Sequence, residues 1–350
     1  MSRFVNGPVG WVSWFSPSRL VRRSAGWFLL GCLTANLLAA GPETRTFFGL
    51  CDASAVADGG NGAFWVASDE DNTLRCYDPV KGDQPVARLR LDEFLQVDPN
   101  EPEADLEAAA RVDELVFWIT SHGRSKKGKF RESRCRFFAT RRVEREGRVD
   151  LVPTGRPYRH LLRDLIADPR LARFGLAAAA KRAPKKAGAL NIEGLAARPD
   201  GGLWIGFRNP IPEGRALLVP LLNPKPVVLT GTPARLGDPV RLDLGGLGVR
   251  GLARVADGWL ILAGGYRGGG AFRLYHWGGP GVAPRLLSLS PPADYTPEAL
   301  LPVTRDGDQA LLILSDDGTR EINGCPCKQL PDPSARRFRA AWLSWPLPHP

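Results

Sequence analysis

The sequence lacks the short motifs that mark many catalytic centres. It contains no G-x-S-x-G elbow, no H-E-x-x-H pair, no Walker loop and no dinucleotide fingerprint. Its six cysteines show no C-x-x-C spacing, and its four histidines are scattered along 350 residues. These absences argue against a zinc finger, a histidine-rich metal centre and an activated serine nucleophile.

Acidic residues are also scarce in one stretch of the chain. The formal net charge is +10, and residues 122–148 hold eleven Lys or Arg against three Glu. No helix-turn-helix, zinc-finger or aromatic stacking signature accompanies this run. We therefore interpret it as a solvated, arginine-rich hairpin and expect no nucleic-acid partner.

Residues 1–42 contain four arginines and no acidic residue. An apolar run at 25–40 follows Arg22 and Arg23 and ends in small residues, a pattern typical of a secretory signal. The run is too short for a stable membrane span. We expect export to the periplasm or the extracellular space, with one domain over residues 43–350. The alternative is a cytoplasmic protein with a disordered N-terminus. In an exported protein, Cys325 or Cys327 is a candidate to bridge another cysteine.

A recurring pattern organises the rest of the chain. Its clearest copy is NIEGLAARPDGGLWIGFRNP at 191–210, in which Glu193 heads an apolar strand and a glycine turn leads to a second strand with Trp204. Glu107 and Trp118 repeat the same eleven-residue spacing. Further copies begin at three positions: Asp52, Arg250 and Glu298.

Short strand pairs at a loose repeat predict an all-β protein, a β-propeller. At roughly 40 to 50 residues per blade, residues 43–350 predict six or seven blades. Apolar residues at helical spacing predict a short helical insertion around residues 158–180. We expect the strand candidate at 338–345 to close the ring by pairing with an early strand. A two-sheet β-sandwich is the alternative, but the recurring acidic start argues against it.

In a propeller, inner strands line a central channel and loops gather at its rims, so the heads of the repeats should meet at one mouth. The candidates for acid–base catalysis are His122, Glu107 and Glu193. The candidate ligands for Ca²⁺ or another divalent cation are Asp52, Asp69, Asp71, Glu298 and Asp316. The candidates for binding an anionic ligand are Arg124, Arg208, Asn209 and Arg250. For each acidic residue, the alternative is that it only orders a turn.

Several strings in the chain resemble a bacterial family known only as a domain of unknown function. They are LCDASA at 50–55, WITSHGR at 118–124, NIEGLA at 191–196 and LSDDG at 314–318. The resemblance spans about residues 47–345 and implies a β-propeller. Through the Glu-Gly-Leu-Ala start and the apolar strand after it, the family is similar to phytase-like and esterase-like propellers. No catalytic residue is established for this family, so the resemblance implies none for this chain.

These observations predict a hydrolase of phosphorylated or ester-bearing small molecules, in which a metal-activated water at the channel mouth is the nucleophile. The alternative is a propeller that uses the same rim to bind a ligand or a protein without catalysis. The expected partner is a small anionic ligand or an unknown protein, and the expected assembly is a monomer without a stable membrane span.

Overall fold

The computed structural model describes residues 42–145, 147–288, 294–305 and 307–347. The predicted signal segment at 1–42 lies almost wholly outside these residues and stays a prediction. No helix in the described ranges is long and apolar enough to cross a membrane.

Five four-stranded antiparallel sheets, here called blades 1 to 5, dominate the described structure. The chain enters through β1 (Glu43–Phe48). Blade 1 contains β2 (Ala55–Gly60), β3 (Ala63–Ala67), β4 (Thr73–Tyr77) and β5 (Ala87–Arg90). Blade 2 contains β6 (Leu106–Val112), β7 (Leu115–Thr120), β8 (Phe137–Arg145) and β9 (Arg148–Tyr158). Blade 3 contains β10 (Asn191–Ala197), β11 (Leu203–Asn209), β12 (Ala216–Leu221) and β13 (Val240–Leu242).

Blade 4 contains β14 (Gly248–Val255), β15 (Gly258–Gly264), β16 (Arg273–Trp277) and β17 (Arg285–Leu287). Blade 5 contains β18 (Pro297–Arg305), β19 (Asp308–Ser315), β22 (Arg337–Ser344) and the entering strand β1. A small hairpin, β20 (Glu321–Ile322) and β21 (Cys325–Pro326), lies between β19 and β22 in the sequence. The first strands of the blades, β2, β6, β10, β14 and β18, contact one another in a closed ring. The chain is therefore a β-propeller, as the sequence predicts.

The two ends of the chain close this ring. Strand β22 pairs antiparallel with β19 on one side and with β1 on the other, which confirms the predicted closure. Phe47 of β1 lies opposite Phe338 of β22 and is fully buried. Its ring also packs against Phe64 and Tyr77 of blade 1, with centroids 5.3 and 5.4 Å away. Burial of one such side chain stabilises the fold by about 1.5–3 kcal/mol.

The described residues form five blades, so the predicted count of six or seven is not matched. The reason is the length of some connections: the inner strands of blades 2 and 3 begin at Leu106 and Asn191, much further apart than the usual repeat of roughly 40 to 50 residues. The predicted helical insertion is present between blades 2 and 3. It consists of α2 (Leu161–Ala167), the 3₁₀ helix Pro169–Phe174 and α3 (Leu176–Ala179). Two further helices, α1 (Asp92–Leu95) and α4 (Pro224–Thr230), lie in other connections.

The tryptophans of the repeat pattern are core residues. Trp65, Trp118 and Trp204 on the second strands of blades 1 to 3 are almost completely buried. Trp204 also packs edge-on against Trp259 and Trp277, with ring centroids 6.1 and 5.2 Å away. Aromatic pairs in this geometry add stability beyond the burial of their area. Trp204, Trp259 and Trp277 therefore join blades 3 and 4, while Trp65 and Trp118 lie in the core of blades 1 and 2.

Candidate functional site

Four inner strands carry a β-bulge at the charged residue of the repeat. The strand pairing shifts between Leu106 and Ala108 in β6, which leaves Glu107 without a cross-strand partner. The same shift occurs at three other residues: Glu193, Arg250 and Glu298. A bulge bends its strand and redirects the side chain of the extra residue. These four side chains therefore leave the ladder at equivalent places.

Blade 1 departs from this pattern. Its equivalent position is Ser54, which directly precedes the first paired residue of β2, Ala55. The Ser54 hydroxyl is placed against the carbonyl oxygens of Leu106 (2.5 Å) and Ala67 (3.2 Å). Asp52 lies two residues earlier. It therefore does not occupy the place of Glu107, which the repeat pattern predicts for it. It instead forms an isolated bridge with Asp316.

The glutamate group consists of Glu107, Glu193 and Glu298, whose carboxylate oxygens lie within 4.8 Å of one another. Arg250 links two of them, with its Nη2 2.6 Å from Glu298 and its Nε 3.4 Å from Glu193. Arg208 donates from Nη1 to Glu193 Oε1 at 2.5 Å. All five side chains are buried, with Glu193 only 1 % exposed. Three carboxylates therefore face two guanidinium groups.

Burial and like charge raise the pKa values of two members of the glutamate group. The pKa of Glu107 lies well above its ordinary value because of burial and the nearby Glu193. Burial raises the pKa of Glu298 to about 8, although Arg250 opposes the shift. Burial alone would lower the pKa of Arg250. The nearby Glu193 and Glu298 outweigh this effect and raise the pKa above its ordinary value, so Arg250 remains a cation. A buried carboxyl with a raised pKa can hold a proton near neutral pH.

The aspartate group consists of Asp52, Asp69 and Glu70, whose carboxylate oxygens also lie within 4.8 Å of one another. Asp316 shares a side-chain hydrogen bond with Asp52, and burial together with this bond raises the pKa of Asp52 to about 9. Burial raises the pKa of Asp69 well above its ordinary value, and the charge of Asp52 adds to the shift. The nearest ammonium is that of Lys328, 3.5 Å from Glu70. This group has more uncompensated negative charge than the glutamate group.

One atom of the aspartate group has no hydrogen-bond partner. Asp69 Oδ1 is buried, and no residue that the structure describes donates to it. A buried acceptor without a donor costs about 1–3 kcal/mol. A cation among these oxygens would remove that cost, since Ca²⁺ takes carboxylate ligands in flexible arrangements. The aspartate group is therefore the part of the site that fits a hard cation.

The loop that carries Asp52 is covalently joined to the segment that carries Lys328. A disulfide links Cys51 to Cys327, the residues next to Asp52 and Lys328, and confirms the expectation that one cysteine of the 325–327 pair is bridged. A Cβ on Gly318 would overlap the Asp52 carboxylate. Among the described cysteines, Cys76, Cys135 and Cys325 are free.

His122 is buried and has a strained backbone just after β7, the second strand of blade 2. Its φ of 53° is in the left-handed region, which non-glycine residues seldom adopt. Its Nδ1 lies 2.8 Å from the carbonyl oxygen of Thr120, so Nδ1 carries the proton. Burial lowers the pKa of His122 to about 4, which keeps the ring neutral at pH 7. Its Nε2 has no partner among the described residues, and no contact joins it to either carboxylate group. Its catalytic role stays a prediction.

Three other predicted residues have contacts outside the two groups. Asp71 forms a paired contact with Arg75, at 2.7 and 3.0 Å. Arg124 donates to the carbonyl oxygens of Ala180 (2.7 Å) and Gly128 (3.0 Å). Asn209 donates its side-chain amide to two backbone carbonyls of the connector that follows the helical insertion. These contacts order loops around the mouth, and roles in ligand binding remain predictions for these residues.

Sequence reasoning missed several residues of the site. Glu70 belongs to the aspartate group, Lys328 lies 3.5 Å from it, and Lys185 borders the same space as Arg208. The Asn191 amide donates to Glu193 Oε1 at 2.7 Å. Asn191 stands directly in the repeat pattern, two residues before the carboxylate, and could have been found there. Lys185 and Lys328 lie in irregular segments, where no periodic signal exists.

A cavity lies away from both carboxylate groups. It has a volume of about 590 Å³ and is lined by later residues of all five inner strands. Its apolar walls include Val56, Ala109, Leu195, Leu252 and Leu300. On each strand these residues follow the head of the repeat, which places the cavity further along the channel. The channel is thus charged at one end and largely apolar beyond it.

The sequence profile of a family described as "Protein of unknown function (DUF3616)" matches residues 52–145 and 131–320. No curated protein matches the chain. Among solved structures, the chain resembles a Myxococcus xanthus glutaminyl cyclase, with 11% identity, a TM-score of 0.41 and coverage of 87% of this chain and 97% of the other. An exo-β-1,3-galactanase from Clostridium thermocellum matches with 10% identity, a TM-score of 0.47 and coverage of 86% and 62%. At these similarities, neither structure bears on the chemistry of the site.

Proposed function

The chain belongs to the DUF3616 family of proteins of unknown function, and because that description assigns no activity, we propose one from the geometry of the site. The proposed function is metal-assisted hydrolysis of phosphorylated or ester-bearing small molecules at the charged mouth of the channel. The observation that carries it is the aspartate group, in which several carboxylates meet with one ammonium to balance them.

In this proposal, Asp52, Asp69 and Glu70 hold a divalent cation, and Asp316 supports Asp52 through their hydrogen bond. Such a cation supplies positive charge and acidifies a bound water. The glutamate group is the poorer place for it, because Arg250 already lies between Glu193 and Glu298. Calcium is the first candidate, given an all-oxygen ligand set.

The glutamate group would then serve proton transfer and ligand binding. Glu107, whose pKa is raised by burial, keeps a proton near neutral pH and can donate it to a leaving oxygen. Arg208 can bind the anionic part of the substrate while Glu193 holds its other side. The charge of Asp69 also raises the pKa of Glu107, so the glutamate group and the aspartate group are within electrostatic range of each other.

A panel of p-nitrophenyl phosphates and esters, assayed with CaCl₂ and with EDTA, tests this function. We expect turnover that needs the cation, and a loss of about 100-fold or more in Glu107→Gln if that residue is the general acid. Asp52→Asn should abolish the cation-dependent activity. Asp71→Asn is the matched control, because Asp71 is engaged by Arg75. Turnover that EDTA does not affect, or none on any substrate, would contradict the proposal.

A second candidate is a propeller that binds a ligand without catalysis. The 590 Å³ cavity favours it, because that cavity is separate from the carboxylates and has mostly apolar walls. A ligand that stabilises the wild type but not Leu252→Trp, in a protein without turnover, would support this function.

We also propose that the protein is exported. The Cys51–Cys327 disulfide supports this, because disulfides persist mainly in oxidising compartments. Fractionation of cells that produce the full chain would test it, with a cytosolic protein containing reduced Cys51 as the contrary result.

A further inference from the structure

The connector at residues 181–188, here called the basic connector, is anchored around Lys185 by the side chain of Asn209. The buried amide of Asn209 donates to the carbonyl oxygens of Pro184 at 3.1 Å and of Lys186 at 2.8 Å. These two carbonyls flank Lys185 on both sides. Asn209 is 1 % exposed, so its amide is a rigid anchor. The backbone of Lys185 is therefore fixed although the residue itself is exposed.

The Lys185 ammonium lies beside the guanidinium of Arg208. A Cβ built on Gly268 would lie 3.5 Å from Lys185 Nζ and 3.6 Å from Arg208 Nη2, so both cations border the same small space. Gly268 has a φ of 81°, in the left-handed region that favours glycine. The absent side chain leaves that space open between the two cations.

Arg208 is oriented before any ligand arrives. Its Nη1 donates to Glu193 Oε1 at 2.5 Å and its Nε donates to the carbonyl oxygen of Gly265 at 3.4 Å. The residue is 8 % exposed. Its Nη2 has no hydrogen-bond partner among the described residues and is the atom that borders Gly268. A buried guanidinium held on two sides thus presents its third nitrogen towards Lys185.

Glu193 pairs with Arg208 on one side, but no carboxylate pairs with Lys185 among the described residues, and the two cations repel each other. Within the described ranges, no Asp or Glu lies at ion-pair distance from Lys185. Burial lowers the pKa of Lys185, and Arg208, Lys126 and Lys328 lower it further. Holding like charges together costs free energy, which an anion placed between them would recover.

We propose that Lys185 and Arg208 form a subsite for a phosphate dianion, and that Asn209 positions Lys185 for it. Two cations that share one space match a doubly charged group better than a neutral ester or a single carboxylate. Arginine supplies directional donors to phosphate oxygens, and lysine supplies a point charge. The assignment of this phosphate to a substrate rests on the proposed hydrolase function, and it selects phosphate monoesters over carboxylic esters.

Isothermal titration of the full chain with inorganic phosphate and with phenyl phosphate, at constant ionic strength, tests the subsite. We expect Lys185→Ala to weaken both ligands by about tenfold to a hundredfold, the effect of one charge-assisted hydrogen bond. Lys186→Ala is the matched control, because it removes the same charge one residue away. Benzoate should bind the wild type more weakly than phenyl phosphate.

The role of Asn209 needs a separate readout. Asn209→Ala should weaken phosphate binding in the wild-type background but add nothing in the Lys185→Ala background, since it acts through Lys185. A purely structural role would instead lower the melting temperature and weaken binding equally in both backgrounds.

Equal weakening by Lys185→Ala and Lys186→Ala would overturn the subsite, because the effect would then be general electrostatics. Absence of phosphate binding by the wild type at millimolar concentration would also overturn it. Phosphate binding that depends on Lys185, in a protein that hydrolyses no substrate, would leave the subsite standing and refute the hydrolase.

Discussion

The glutamate and aspartate groups belong to the same end of the channel but differ in what balances their charge. Glu193 and Glu298 contact Arg250 directly, and Glu193 also binds Arg208. In the aspartate group, the ammonium of Lys328 is 3.5 Å from Glu70, and Asp52 and Asp316 share a hydrogen bond. The first group is compensated by the chain itself. The second is incomplete until a cation or protons are supplied.

The two groups are also built in different ways. The members of the glutamate group are bulged residues at the heads of regular strands. The aspartate group comes from loops, and the Cys51–Cys327 disulfide ties the loop of Asp52 to the segment of Lys328. A bulge is stable within a single sheet, whereas clustered carboxylates in loops need an additional constraint against their repulsion. The difference indicates that the glutamate group is part of the fold and the aspartate group is the adaptable part of the site.

The largest expected effect comes from removing the internal cation. Arg250→Met leaves Glu298 buried without its guanidinium and Glu193 with Arg208 alone, and loss of one partner of a buried ion pair costs about 3–5 kcal/mol. Chemical denaturation at pH 7 should show this loss. Lys328→Met, in the more exposed pair with Glu70, should cost about 1 kcal/mol or less. Similar losses in both variants would remove the distinction between the groups.

A smaller effect is expected from added cation. Saturation to about 100 times the dissociation constant stabilises a protein by about 2.7 kcal/mol. We expect CaCl₂ to raise the melting temperature of the wild type and of Glu298→Gln relative to EDTA, but not that of Asp52→Asn. Loss of the calcium response in Glu298→Gln alone would show that the cation binds in the glutamate group instead of the aspartate group.

A third expected effect is a change of stability with pH. Because the folded pKa of Glu298 is about 8, above its ordinary value of 4.5, the folded state binds a proton that the unfolded state releases. Its contribution is complete below pH 4.5 and is lost as the pH rises to about 8, with a slope of at most about 1.4 kcal/mol per pH unit. Glu298→Gln should reduce this slope in denaturation curves at pH 5 to 8. The exposed Glu321→Gln serves as the control, and a slope unchanged in Glu298→Gln would refute this origin.

Much of the regular architecture was predictable from the repeat. The equal spacing of Glu107 to Trp118 and of Glu193 to Trp204 corresponds to one bulge-headed hairpin in each blade. The closing strand was predictable because an apolar strand at the end of a ring needs a partner. The predicted blade count is not matched by the described residues, because insertions lengthen the repeat and composition does not separate them from strands.

The candidate site was predictable only in part. The members of the glutamate group could be named because each heads a strand. Asp52 was aligned with them by residue type, but pairing shows that Ser54 occupies their place. Glu70 could have been included, since it stands between the predicted Asp69 and Asp71, but Lys185 and Lys328 could not be found because their short segments follow no period.

By itself, the sequence determined the alternation of strands and turns, the apolar cores of the blades and the charged residue at the head of four of the five described inner strands, because these depend on local periodicity. Only the tertiary structure decided which charges meet. Arg250 contacts Glu298 across 48 positions, and Cys51 bonds to Cys327 across 276. Closing the ring brings these residues together, and contacts over such separations depend on the whole fold rather than on any local pattern.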